Sequence, residues 1–309
     1  MGSTALSVHA SCAAPVVRGA PHSVWSAQAL LGEGTLWSVR EQALFWVDIL
    51  GHQLHRFCPA TQARDSWSFD EEISAVAERR TGPGLLVTLR HDFATFDLDT
   101  GRLQRLHRPE PAQPGNRFND GKCDAQGRFW GGTMDFACQA PTGALHRYAG
   151  GSHCSRMHTG FAVTNGPTWS LDGRTLYFND TVQGQVHAFD FDPASGTLSR
   201  PRLWLQLGAD DGYPDGMTTD AAGRIWIAHW GAACVTCHDP ESAAELLRIP
   251  LPTSHITNCA FGGPDLRTLF ITSACSGLNE HQLLTQPLAG ALFCVEIDSP
   301  GLPANKFAG

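Results

Sequence analysis

Residues 164–180 read TNGPTWSLDGRTLYFND. The stretch holds a short polar motif, a tight turn (SLDGR) and a strand-like run (TLYFND). The same wording returns at 119–134, NDGKCDAQGRFWGGTM, and at 214–229, PDGMTTDAAGRIWIAH. Further out lie the related runs ALFWVDI at 43–49, GLLVTLR at 84–90 and TLFITS at 268–273, the last preceded by GPDLR. Aligned on Leu44, Leu85, Phe129, Leu176, Ile225 and Leu269, the copies are spaced 41, 44, 47, 49 and 44 residues apart. Glycine in these turns supplies the positive φ that tight hairpins need. Several copies continue into another strand that ends in an acidic turn, as in FATFDLDTGRL and QVHAFDFDPASGTL. A period of roughly 40 to 50 residues made of short strands marks propeller blades. Six copies therefore predict an all-β chain folded as a six-bladed β-propeller. The segments EQALFW and PESAAELL are too short to count as helices, and a pair of β-sandwiches leaves the phase-locked wording unexplained.

The bulk composition agrees. The chain has 309 residues, 42% hydrophobic and 17% charged, which suits a globular protein with a sizeable core. Its formal charge of −8 argues against nucleic acid as a partner. No apolar run approaches the roughly 18 to 20 residues that span a bilayer. Residues 1–20 lack a charged start followed by a firm apolar stretch, so they read as a disordered extension and not as a signal peptide. The single propeller domain is then expected over 21–309. Ten scattered cysteines without a secretory signal indicate reduced thiols in a cytoplasmic protein. Cys234 and Cys237 form a CxxC, but no second CxxC completes a zinc site.

A propeller gathers residues that are far apart in sequence. Glu33 in LGEGTLW, Asn119 and Asp120 in RFNDGK, Asn165 in VTNGPTW and Asp215 in YPDGMTTD all precede strand runs. Ten residues separate Asn119 from Phe129 and Asp215 from Ile225; eleven separate Glu33 from Leu44 and Asn165 from Leu176. Alone, each Asn-Gly or Asp-Gly reads as a turn, and Arg117, Asn119 and Asp120 read as one solvent-facing turn. The common offset across four blades points instead to a ring of side chains about the axis. Two carboxylates and two amides suit one hard divalent cation such as calcium or magnesium. Manganese, ferrous iron and zinc also accept such oxygens.

The stretches GEGTLW, LFWVDI, NRFNDGKCDAQGRFWGGTM, TNGPTWSLDGRTLYFND, PDGMTTDAAGRIW, CAFGGPDLRTLFITSA and QPLAGALF cover about residues 30–300 in order. Together they resemble the senescence marker protein/gluconolactonase family, which includes regucalcin and bacterial sugar lactonases. The resemblance implies a six-bladed propeller with one divalent metal in its central channel, held by Glu33, Asn165 and Asp215. It implies that Arg117 and Asn119 hold substrate hydroxyls, while Asp120 braces their turn. The activity implied is hydrolysis of a pentono- or hexonolactone to the aldonic acid in sugar catabolism, with Asp215 as the catalytic group that delivers water. The expected partner is this small molecule alone, and the expected state a monomer or weak oligomer. Two positions depart from the family pattern. Thr35 replaces a frequent Pro, and Ala137 stands where some animal members place a sugar-contacting Glu.

Other readings compete. No GxSxG nucleophile elbow is present for a Ser-His-Asp enzyme. His91 and His229 fall at or just after the strand runs and either line the channel or pack. Trp46, Trp130 and Trp226 read as blade packing. A non-catalytic, calcium-binding regulatory propeller shares the ligand ring but gives Arg117 and Asn119 no purpose. A WD-type interaction propeller lacks its GH and WD signatures. An esterase for larger lactones or organophosphates would use the same channel.

Overall fold

The computed structural model describes residues 12–309. Six four-stranded antiparallel sheets follow one another along the chain as blades. The inner strands are Gly32–Ser38, Ile73–Glu78, Asn116–Cys123, Thr164–Trp169, Tyr213–Thr219 and Ile256–Gly262. Each contacts the inner strands of both neighbours, and the first meets the last, so the ring is closed around a central channel. All six reference residues of the repeat lie on the second strands of their blades. The six-bladed expectation is the observed fold.

Closure comes from the N-terminal side. Val17–Trp25 pairs antiparallel with Leu292–Ile297 and supplies the outer strand of the last blade. The boundary expected at residue 20 therefore cuts through a strand. It is a half-exposed strand with no regular alternation of burial, so a segment of small, mixed residues gives no sign of it. The rest of that extension, residues 1–11, lies outside the described residues.

Among the described residues the apolar core is divided into six clusters, each seated between neighbouring blades. Phe45, Val47 and Leu54 of the first blade, for example, pack on Ile73, Leu85 and Val87 of the second. Each sheet is thus covered on both faces, which lets the inner strands be largely buried while outer strands such as Ala63–Ser68 stay largely exposed.

The repeated turn wording has a local cause. Asp220 Oδ1 accepts the N–H groups of Ala222 and Arg224 at 2.9 and 3.0 Å. Its Oδ2 accepts Arg224 Nε at 2.7 Å and Trp226 Nε1 at 2.9 Å. Asp124 does the same with Gln126, Arg128 and Trp130. The turn glycines 127, 173 and 223 sit at φ of +88°, +68° and +85°, and Leu266 takes the equivalent position in GPDLR at +58°. Trp46, Trp130 and Trp226 are fully buried, as blade packing requires. Asp220→Ala would leave Arg224 a buried cation without its carboxylate. It is expected to lower unfolding free energy by about 3 kcal/mol, read from urea titration. A loss under about 1 kcal/mol would show that the backbone holds this turn unaided.

Candidate active site

Every inner strand carries a register break near its start. Pairing with the second strand slips between Glu33 and Leu36, Ile73 and Ala75, Phe118 and Gly121, Asn165 and Thr168, Pro214 and Met217, and Ile256 and Asn258. Such bulges re-aim side chains that regular pleating would turn into the sheet. The breaks fall at or beside Glu33, Ser74, Asn119, Asn165, Asp215 and Asn258, one position per blade. Glycine accompanies them where space is shortest: a Cβ on Gly216 would lie 2.3 Å from Asn258 Nδ2. The pairs Asp120-Gly121, Asn165-Gly166 and Asp215-Gly216 are therefore at bulges in buried strands, not exposed turns.

That corrects the reading of NRFND. Asn116–Cys123 is the inner strand of the third blade, and Arg117, Asn119 and Asp120 are 6, 5 and 2% exposed. A strand can carry such polar density because it lines a polar channel, where side chains satisfy one another instead of meeting water. Asp120 braces blades and not a turn. Its Oδ1 accepts the Gly121 N–H, while Oδ2 accepts Gly166 N–H of the fourth blade at 3.1 Å and Asn258 Nδ2 of the sixth at 3.4 Å.

The Glu33 and Asp215 carboxyl groups face each other, close enough to share a hydrogen bond when one of them is protonated. Glu33 Oε2 also accepts Asn258 Nδ2 at 2.9 Å and its neighbouring Gly34 N–H at 3.2 Å. Thr35, at the position of the family's Pro, donates to Asn258 Oδ1 at 2.8 Å and so aims the Asn258 amide group at Glu33. On the other side, Thr181 gives its only proton to the Pro214 carbonyl. It must then accept from Asn165 Nδ2, at 2.9 Å, which leaves Asn165 Oδ1 facing Asn119 Nδ2 at 3.0 Å. Asn119 Oδ1 takes Arg117 Nη1 at 2.7 Å. The structure thus links Arg117, Asn119 and Asn165 in one chain of hydrogen bonds, and Glu33, Asp215, Asn258 and Asp120 in a second contiguous set.

The electrostatics are one-sided. Burial, then the Asp120 carboxylate, raises Glu33 to about 8. Burial and the facing Glu33 carry Asp215 well above the ordinary carboxylate range, and burial raises Asp120 against the pull of Lys122. Like charges driven together out of water resolve by holding a proton or a cation. A carboxyl–carboxyl hydrogen bond requires the proton. The chemistry of this donor set suits a divalent cation in the proton's place: two hard carboxylates, with the Asn165 amide oxygen as a third oxygen donor. Among the described residues no three His, Cys, Asp or Glu side chains are gathered tightly enough to chelate an ion by themselves.

Beyond the ring, towards the far ends of the inner strands, the channel widens into a cavity of about 600 Å³ lined by Asp120, Lys122 and Thr168 and walled by Leu302–Asn305 of the C-terminal tail. Lys122 crosses this part of the channel to donate to the Met217 carbonyl.

Residues 31–275 match the SMP-30/gluconolactonase/LRE-like region. The chain belongs to this family. A Bacillus subtilis protein named for sugar lactone lactonase activity, YvrE, is 34% identical over 91% of this chain and 96% of its own length. Regucalcin of Xenopus laevis is 34% identical over 90% of this chain and 95% of its own. The crystal structure of a calcium-binding regucalcin from Agrobacterium tumefaciens superposes with a TM-score of 0.88 at 26% identity, covering 97% of this chain and 99% of that one.

Within this SMP-30/gluconolactonase-like ring, two positions escaped the sequence reading. Asn258 lies eleven residues before Leu269 and Ser74 eleven before Leu85, the offset already found for Glu33. Neither is followed by Gly, so neither resembled the other motifs. His229 is not a channel residue: it is fully buried, with Nδ1 2.7 Å from the Asp211 carbonyl and Nε2 2.6 Å from Thr236 Oγ1. His91 is half-buried in a loop of the second blade. Among the described residues no two cysteines form a disulfide. Cys234 and Cys237 lie three residues apart on one strand, Cys234–His238, and so project from opposite faces. They cannot share a metal ion. No helix among the described residues is long and apolar enough to cross a membrane.

Proposed function

We propose that the protein hydrolyses a sugar lactone, a pentono- or hexonolactone, with one divalent cation held by Glu33, Asn165 and Asp215. Calcium, zinc, manganese, magnesium and ferrous iron are the candidates. The observation that carries this reading is the placement of Arg117. It is buried beside the acidic ring and, among the described residues, hydrogen-bonds through Nη1 alone, to the Phe118 carbonyl at 2.9 Å and to Asn119. Its remaining guanidinium donors are left for a polyol, and their planar fork fixes orientation. A bare calcium buffer has no use for such a group.

When bound, the cation would supply Lewis-acid polarisation of the lactone carbonyl. Arg117 and Asn119 orient the ring hydroxyls so that the ester carbon faces the axis. Asp215 takes a proton from water as the water oxygen bonds to that carbon, and the proton passes to the ring oxygen as its bond to carbon breaks. The product is the open aldonic acid. An elevated carboxylate is suited to this transfer near neutral pH.

The test uses metal-stripped protein and a panel of pentono- and hexonolactones, with each of the five cations restored singly and a no-enzyme control for spontaneous opening. Acid release well above that control with one or two cations is the expected result. Cation binding without turnover would favour the calcium-binding regulatory propeller instead.

A further inference from the structure

Phe136 follows the second strand of the third blade (Phe129–Asp135) at the mouth end of the channel, and it is 40% exposed. An aromatic ring left open to solvent beside a buried polar site is unusual enough to ask what covers it. Arg117 Cζ lies 5.8 Å from the ring centroid and Arg90 Cζ 4.8 Å from it. Arg90 is itself held by buried Glu72 at 3.6 Å.

The loop bearing Phe136 is pinned in place. Phe136 N–H donates to the Gly115 carbonyl at 3.0 Å. Asp135 Oδ2 accepts the N–H groups of Gln139 and Ala140 at 3.0 and 2.8 Å. Thr142 Oγ1 donates to Asn116 Oδ1 at 2.6 Å. Beyond Asp135, residues 136–142 (FACQAPT) carry no charged side chain. The order outward from the axis is thus acidic ring, Arg117, Phe136.

Resting on the lactonase reading, we infer that Phe136 is a specificity-determining residue that selects lactones with an apolar exocyclic end. With the carbonyl at Asp215 and a ring hydroxyl on Arg117, the end of the substrate furthest from the ester points to the mouth. There it meets the rigid Phe136 ring, which offers dispersion contact to C–H and methyl groups and no hydrogen bond to a terminal hydroxyl. The two guanidinium groups steady the ring against rotation.

The experiment compares a hexono-1,4-lactone with its 6-deoxy counterpart in wild type, Phe136→Ala and Phe136→Trp, using metal-loaded protein. Wild type is expected to favour the 6-deoxy lactone by about tenfold in kcat/KM, the scale set by one methyl group in an apolar pocket. Phe136→Ala should bring the ratio near one through KM, with kcat unchanged, and Phe136→Trp should keep the preference. Thermal midpoints should stay equal, because the ring is exposed. Turnover with the same ratio in wild type and Phe136→Ala, or a wild-type preference for the hydroxylated lactone, overturns this inference alone. A protein that opens no lactone overturns the lactonase reading and this inference with it.

Discussion

Asp215→Asn is expected to lower lactone turnover by about a thousandfold or more while making the metal-free protein more stable. The two effects share one cause. Asp215 faces Glu33 in a closed ring with Asp120 close by, and all three are held above their ordinary range by burial. An amide in place of the carboxyl removes one member of that cluster and gives Glu33 an N–H donor. The backbone need not move, because the Asp215 carbonyl accepts Asn179 Nδ2 at 2.5 Å whatever the side chain. On the proposed mechanism, losing the proton acceptor and one anionic ligand is expected to end catalysis. Removing one member of a crowded, buried carboxyl cluster raises the thermal midpoint measured in chelator. Functional sites commonly trade stability for activity in this way. A variant that loses its rate and melts earlier is merely damaged. One that keeps a wild-type rate removes Asp215 from the mechanism.

The fold was legible because its period is written in turn chemistry. DAQGR, SLDGR and DAAGR repeat because an Asp must reach the N–H groups of its own turn, a following Arg and, in two blades, an indole two residues further on. That demand is local, so it survives in a single sequence. The closing strand Val17–Trp25 was illegible for the opposite reason. Its partner, Leu292–Ile297, is more than 260 residues away, and nothing within VRGAPHSVW announces that pairing.

The site was half legible. Glu33, Asn165 and Asp215 stood out because glycines follow them. Those glycines mark bulges, not the turns that Asn-Gly and Asp-Gly suggest in isolation. Asn258 carries the same load without a glycine behind it: its amide bonds Glu33 and Asp120, and its carbonyl oxygen takes Thr35. Only the common offset from the repeat could have found it. The orientation of Asn165, set by the proton of Thr181, depends on contacts between blades and has no sequence signal at all.

Cation affinity should rise steeply with pH, by about tenfold per unit for each proton displaced, until it levels near pH 8. The sign follows from Glu33, whose carboxyl is raised from 4.5 to about 8 in the folded chain. Between those values the native carboxyl keeps a proton that the unfolded chain has released. Its contribution to stability is therefore full below about pH 4.5 and is lost as pH climbs towards 8. Asp215 and Asp120 are displaced in the same direction and add to the slope. Metal-free protein is thus expected to melt at progressively lower temperature from about pH 5 to pH 8. A cation competes for the position of that proton, so its stabilising effect grows over the same window. From pH 6 to pH 8 the Glu33 proton alone implies a rise in affinity of about fiftyfold. Chelator competition at fixed free metal, paired with melting curves, measures both slopes. Glu33→Gln should flatten the melting curve of the metal-free protein and weaken binding at pH 8. A wild-type affinity that does not change between pH 6 and 8 would place the cation away from these carboxylates, since burial and mutual repulsion hold Glu33 and Asp215 above the ordinary range and an ion between them must take a proton's place.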